Sequence, residues 1–207
     1  IRPSRGLGDV YKRQVYPCFL TRAELAEVLS APHEPPTATD VVLSADEAAR
    51  RAGSGMAPAW RLRTAKALEL AESPTWLDLR TGSRRSVDMS AHGDVIVARR
   101  DIRTSYHLSV VVDDMIDGVT LVTRGMDLED STHVHRLLQA ILEIPAPAYY
   151  HHDLVCDEDG QRLAKRHDAL SISELRQSGL SATEILSYLP DFAESAVISN
   201  DCSIFSN

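Results

Sequence analysis

From Val15 onward apolar residues recur at two spacings, and the changes from one to the other divide the chain into elements. Ala23, Leu25, Ala26, Val28 and Leu29 form a helical stripe. Thr21 and Glu24, three residues apart, make the capping-box arrangement that satisfies the first orphan N–H groups of such a helix. Residues 31–39 are rich in Pro and Thr and predict a loop. Ser44 and Glu47 repeat the capping pattern and open a second amphipathic helix that ends at Gly53. Residues 59–62 and 75–79 read as short strands on either side of a helical piece at 66–71. The strongest strand signals are 95–98, 108–112 and 119–122, aliphatic, β-branched and bounded by charges or glycine. Asp117-Gly118 supplies the turn between the last two. A helix over 132–142 follows, opened by Ser131-Thr132 and stopped by Pro145 and Pro147. Helices at 171–177 and 182–189 complete the pattern, with Gly179 as the breaker between them.

The two ends fall outside this pattern. Residues 1–14 show neither period, and we expect a non-native extension, a vector or sequencing remnant, with an ordinary N-terminal arm as the alternative. Residues 191–207 are expected to be a flexible tail, polar and aperiodic after Pro190.

Composition narrows the class. A chain of 207 residues, 43% apolar and 25% charged, buries one core with a small appendage, and 5% aromatic residues make that core aliphatic. A net charge of −8 argues against general, non-specific nucleic-acid binding, which needs a basic face. It leaves room for a local positive groove lined by Arg84, Arg85, Arg99, Arg100 and Arg103, although for Arg84 and Arg85 a solvated surface is the simpler reading. Cys18, Cys156 and Cys202 are few, odd in number and unevenly spaced, as expected of a reducing cytosol without a disulfide framework. No apolar run reaches membrane-spanning length and no secretory signal pattern is present, so a cytoplasmic protein is expected.

Three stretches carry the chemistry: DVIVARRDIRTSYHLSVVVDD, GVTLVTRGMDLEDSTHVHRLLQAIL, and YYHHDL followed by DGQRLAKR. Arg124 follows a strand signal and precedes Gly125, which projects its side chain from a strand end, where open α/β sheets bind ligands. A surface ion pair of Arg124 with Asp127 or Glu129 is the competing reading. Helix starts are commonly Ser or Thr for structural reasons, and capping alone accounts for Ser131. His133 and His135 lie two apart, so one helix cannot aim both at one metal.

In order and spacing this block resembles the glutamate-specific class I aminoacyl-tRNA synthetases, over roughly residues 15–189. Within that family it is most similar to the short group that glutamylates the queuosine base of tRNA(Asp). The resemblance implies an α/β fold: a partial class I synthetase (Rossmann-type) catalytic domain with a small inserted subdomain and C-terminal helices. It assigns 15–58 to a degenerate zinc-type insertion, 59–160 to the second half of the nucleotide-binding domain, and 161–190 to the lysine loop and C-terminal helices. It also implies activation of L-glutamate by ATP, with Mg2+ accompanying the ATP, transfer to tRNA(Asp) bearing queuosine, and a monomeric protein. Such a site holds two anions together and needs fixed positive charge and oriented donors. Arginine matches a carboxylate with its planar fork.

By the same resemblance Tyr106 and Arg124 contact glutamate, and Ser131 lies beside the ATP ribose and phosphates. Residues 149–154, ending at Leu154, pass the adenine through main-chain groups, and His151 and His152 orient or pack. Lys165 matches the key second lysine of the mobile loop, the catalytic residue. Arg162 replaces the first lysine and keeps its charge, and Ala164 replaces a serine and loses a donor. The aspartates Asp113 and Asp114 are read as a structural strand end. Cys18-Phe19-Leu20 lacks the second thiolate of the family's zinc element, so no metal site is expected and Cys18 is read as a relic. The first signature of the family, His-Ile-Gly-His, is absent, so we expect a C-terminal portion of the domain, inactive in glutamate activation by itself. A truncated glutamyl-tRNA synthetase and a non-catalytic pseudo-synthetase are the alternatives.

Overall fold

Short strands alternate with amphipathic helices, and the computed structural model, which describes residues 14–21, 23–24, 43–154 and 171–187, arranges the strands in two sheets. We number the elements β1 (Val15–Cys18), α1 (Ala45–Gly53), β2 (Ala59–Leu62), α2 (Thr64–Leu70), β3 (Thr75–Asp78), β4 (Ser83–Ser86), β5 (Val95–Ala98), α3 (Tyr106–Ile116), β6 (Leu121–Gly125), α4 (Glu129–Ile141), β7 (Ala148–His152), α5 (Ile172–Gln177) and α6 (Ala182–Ser187). A single 3-10 turn, Met126–Leu128, joins β6 to α4. The chain forms two compact units. The first consists of Ile1–Trp76, Arg85–Thr120 and Asp130–Ala146, the second of Leu77–Arg84, Leu121–Glu129 and Pro147–Asn207.

In the first unit β1, β2 and β5 form an antiparallel sheet in that order, with Val15 opposite Leu62 and a register shift between Trp60 and Arg61. Its core gathers Leu62, Ala67, Met89, Val95 and Val111 with Val134, Leu137, Leu138 and Ile141, the last four being one face of α4 at helical spacing. A buried carboxylate ties the sheet together. Asp94 accepts from the Tyr16 hydroxyl at 2.7 Å and from the Thr64 N–H at 3.0 Å, while its carbonyl accepts from Arg61 Nε at 3.1 Å. Burial, and then the Asp94 carboxylate, pushes the Tyr16 phenol well above its ordinary range. Farther along, Arg51 bridges Glu24 and Glu47 and donates to the Phe19 carbonyl at 3.1 Å. The Thr21–Glu24 capping box is present in both directions, at 2.6 and 3.2 Å. At Ser44 only the hydroxyl half forms, because the Glu47 carboxylate is taken by Arg50 and Arg51.

The segment predicted as a strand at 108–112 is helix α3, and Asp113 and Asp114 lie in that helix rather than at a strand end. Three consecutive valines favour a strand locally, but Ser105 accepts the Leu108 N–H at 3.2 Å and caps a helix whose Val111 reaches the core. β-propensity is a weak prior against such packing. Asp117-Gly118 is accordingly a helix stop and not a hairpin turn. Gly118 sits at φ +67, its N–H donates to Met115 O at 3.3 Å, and the Val119 N–H donates to Asp114 O at 2.9 Å, a Schellman closure. The strand expected at 119–122 runs as Leu121–Gly125. Helix α4 begins at Glu129, so Ser131 lies within its first turn and is not its cap. Two acidic residues, Glu129 and Asp130, suit that N-terminus.

In the second unit β6 and β7 pair in parallel from Leu121 opposite Ala148 to Gly125 opposite His152, and Asp78 of β3 pairs with Tyr149. The sheet order is β4-β3-β7-β6, and α4 supplies the crossover that a parallel β6–β7 pair requires. Helices α5 and α6 begin with reciprocal Ser–Glu caps at Ser171 and Ser181.

Candidate functional site

Register in the second unit brings Arg124, near the C-terminal end of β6, opposite His151 of β7. Arg124 Nε donates to His151 Nε2 at 3.2 Å. An imidazole nitrogen accepts only when it carries no proton, so this contact selects neutral His151 with its proton on Nδ1. His151 is 1% exposed and stacks on Tyr149, two residues earlier on the same strand face, at 3° between ring planes. The Arg124 guanidinium carbon lies 5.4 Å from the Tyr149 ring centroid, a cation–π distance. Hydrogen bond, ring and strand end together hold the guanidinium in one orientation.

The next residues are shaped by close approach and charge. A Cβ placed on Gly125 would lie 2.9 Å from Leu154 Cδ2 and would overlap the Asp127 carboxylate, so glycine lets those side chains fold over the end of β6. Arg80 forms a two-pronged pair with Asp153, at 2.6 and 3.0 Å, and its Nη1 also reaches the His151 carbonyl at 3.4 Å. The hydrogen bond to Asp153 holds the Arg80 guanidinium above its ordinary range. His152 Nδ1 lies 2.8 Å from the Asp153 carbonyl. The backbone of 151–153 is thus held at two carbonyls, and the Asp153 side chain is held as well, just before Leu154.

Of the site residues expected from the sequence, Arg124 and Leu154 belong to this unit, on either side of Gly125. Tyr106 and Ser131 belong to the first unit. Tyr106 stands two residues before the segment predicted as a strand at 108–112 and is the first residue of α3, 55% exposed, its ring 5.4 Å from His107 and 5.7 Å from His135. His107 Nδ1 and His135 Nε2 share a hydrogen bond of 3.0 Å. His133 turns elsewhere, accepting the Asp88 N–H on Nδ1 at 3.0 Å with its ring edge to Trp76. Arg162, Ala164 and Lys165 lie outside the described residues, as does Cys156. Cys18 is a buried free thiol in β1, and residues 25–42 of the expected insertion lie outside the described residues. Among the described residues no three His, Cys, Asp or Glu side chains group to hold a metal ion, and no helix is long and apolar enough to cross a membrane.

The Arg124–His151 contact and the Arg80–Asp153 pair were not read from the sequence. The signal available was the alternation of Tyr149 and His151, which on a strand shares one face.

The chain is 40% identical over 185 residues to a glutamyl-Q tRNA(Asp) synthetase of Rhodobacter capsulatus, covering 83% of this chain and 65% of that one. It is 37% identical over 194 residues to a protein of the same name from Nitratidesulfovibrio vulgaris, covering 88% and 58%. The chain therefore spans less than two thirds of the length of these curated relatives. In three dimensions it is similar to a glutamate tRNA ligase of Elizabethkingia meningosepticum, with a TM-score of 0.56 at 21% identity, over 83% of this chain and 36% of that one. That likeness supports a class I synthetase α/β fold. Residues 21–200 match the family described as tRNA synthetases class I (E and Q), catalytic domain, and the chain belongs to that family.

Proposed function

We propose that the protein activates L-glutamate with ATP and transfers the glutamyl group to the queuosine base of tRNA(Asp), in the cytoplasm and as a monomer. A glutamate carboxylate oxygen attacks the α-phosphorus of ATP, the bond to pyrophosphate breaks, and a nucleophile on the modified base later displaces AMP from the glutamyl-adenylate. The observation that carries this reading is Arg124, a guanidinium fixed through Nε at a strand end. That arrangement suits a carboxylate. In this reading Tyr106 donates its hydroxyl to the same substrate, and Ser131 lies by the ribose and phosphates. The backbone at Leu154 meets the adenine. Lys165 and Arg162 neutralise charge on the departing pyrophosphate. Mg2+ arrives on the ATP phosphates, the usual way this ion is held. This reading gives zinc no part, because Cys18-Phe19-Leu20 carries one cysteine where the family's zinc element has two. The names of the relatives support the choice of tRNA(Asp).

Glutamate-dependent ATP–pyrophosphate exchange by the product of the complete coding sequence tests the first step. Arg124→Ala is expected to lower kcat/KM for glutamate about 100-fold, the scale of a lost charge-assisted contact. Unchanged glutamate dependence in that variant refutes the assignment. Labelled glutamate offered to queuosine-bearing tRNA(Asp) and to tRNA(Glu) tests the second step, and labelling of tRNA(Glu) alone would mark a glutamyl-tRNA synthetase instead.

A further inference from the structure

We propose that His151 is the positioning residue for Arg124, setting the direction of the guanidinium by accepting its Nε–H, and thereby sets the affinity of the site for a carboxylate substrate. This deepens the function proposed above and rests on Arg124 being the carboxylate clamp. An arginine has rotatable bonds along its whole stem, so a fork that recognises a carboxylate must be oriented before the substrate arrives or lose affinity in ordering it. His151 is suited to that task. Its ring is 1% exposed, and its plane is fixed by parallel stacking on Tyr149, itself 1% exposed. Its backbone carbonyl is within reach of Arg80 Nη1 at 3.4 Å, and Arg80 is pinned in turn by Asp153. The acceptor is therefore rigid, and it meets Nε, the one guanidinium nitrogen on the stem side. A bond at Nε fixes rotation of the fork while using neither terminal nitrogen.

Two kinds of substitution separate orientation from packing. His151→Phe keeps a flat ring for the Tyr149 stack and removes the acceptor. His151→Gln removes the ring and restores an acceptor at about the reach of Nε2. In pyrophosphate exchange by the product of the complete coding sequence, His151→Phe should raise KM for glutamate roughly 10- to 100-fold, the range of a hydrogen bond to a charged group. KM for ATP should stay close to wild type, and His151→Gln should recover most of the loss in glutamate KM. In the 207-residue chain with 15N-labelled histidine, the side-chain shifts should show His151 protonated on Nδ1 and bare at Nε2. The proposal is overturned by a proton on Nε2, by His151→Phe with wild-type glutamate KM, or by His151→Gln as impaired as His151→Phe. Arg124→Ala keeps the outcomes apart. If it leaves glutamate KM unchanged, the reading of the site itself fails. If it impairs glutamate recognition while His151→Phe does not, only the role given to His151 fails.

Discussion

Replacing Asp94 tests whether one buried carboxylate holds the antiparallel sheet of the first unit. Asp94 is 5% exposed and accepts from a phenol on β1 and from the backbone at the start of α2. Asp94→Ala strands both donors and removes the charge that strengthens both bonds. A hydrogen bond to a charged group contributes about 1.5–3 kcal/mol. Taking the lower half of that range for the partly exposed Tyr16 and the full range for the buried Thr64 N–H gives a loss of about 3–5 kcal/mol. Tyr16→Phe removes one donor and leaves the carboxylate its backbone partner, so it should cost only the Tyr16 share of that sum, about 1.5–2 kcal/mol. Asp94→Asn keeps an acceptor for Thr64 and should fall between the two. With a urea m-value of about 2 kcal/mol/M, Asp94→Ala lowers the unfolding midpoint by about 2 M and Tyr16→Phe by about 1 M. Urea titrations followed by circular dichroism at neutral pH read these shifts directly. An Asp94→Ala midpoint no lower than that of Tyr16→Phe would show that the carboxylate does not organise the sheet.

Gly125→Ala places a methyl group 2.9 Å from Leu154 Cδ2 and against the Asp127 carboxylate. Both neighbours are side-chain ends that can yield, so the expected cost is modest, about 1–2 kcal/mol, with a raised KM for ATP; wild-type Tm and ATP affinity together would contradict it. Burial, and then Arg85, lowers the His133 pKa below its ordinary 6.5. A lowered histidine pKa means the folded state binds fewer protons, so this contribution to stability is whole above 6.5 and is lost as the pH falls from there through the lowered value. His133→Asn, which offers an acceptor near the place of Nδ1 for the Asp88 N–H, should flatten the difference between urea midpoints at pH 7.5 and about 5.5. An equal pH slope in variant and wild type counts against the assignment.

Local chemistry was the legible part of the fold. The strands Ala59–Leu62 and Val95–Ala98 lie where alternation and branching put them, and Thr21 and Ser44 cap as their side chains suggest. The valine run of α3 misled because branching is a local preference, while burial of Val111 against α4 is a tertiary fact. Strand β4, Ser-Arg-Arg-Ser, has no apolar signal, and only pairing makes it a strand. The same division holds at the site. A strand end at Arg124 could be read from the residues around it. Its partner His151 stands 27 positions away and meets it through register, which no local pattern encodes.

The interleaving of the two compact units limits how this protein can be taken apart. The backbone passes from one to the other at residues 76/77, 84/85, 120/121, 129/130 and 146/147. No contiguous excision between Leu77 and Ala146 yields either unit whole, and a ribosome must reach Ala146 before the earlier of them has all its segments. Engineers seeking a minimal version should trim from the termini or permute the circular order, since internal cuts sever both bodies at once.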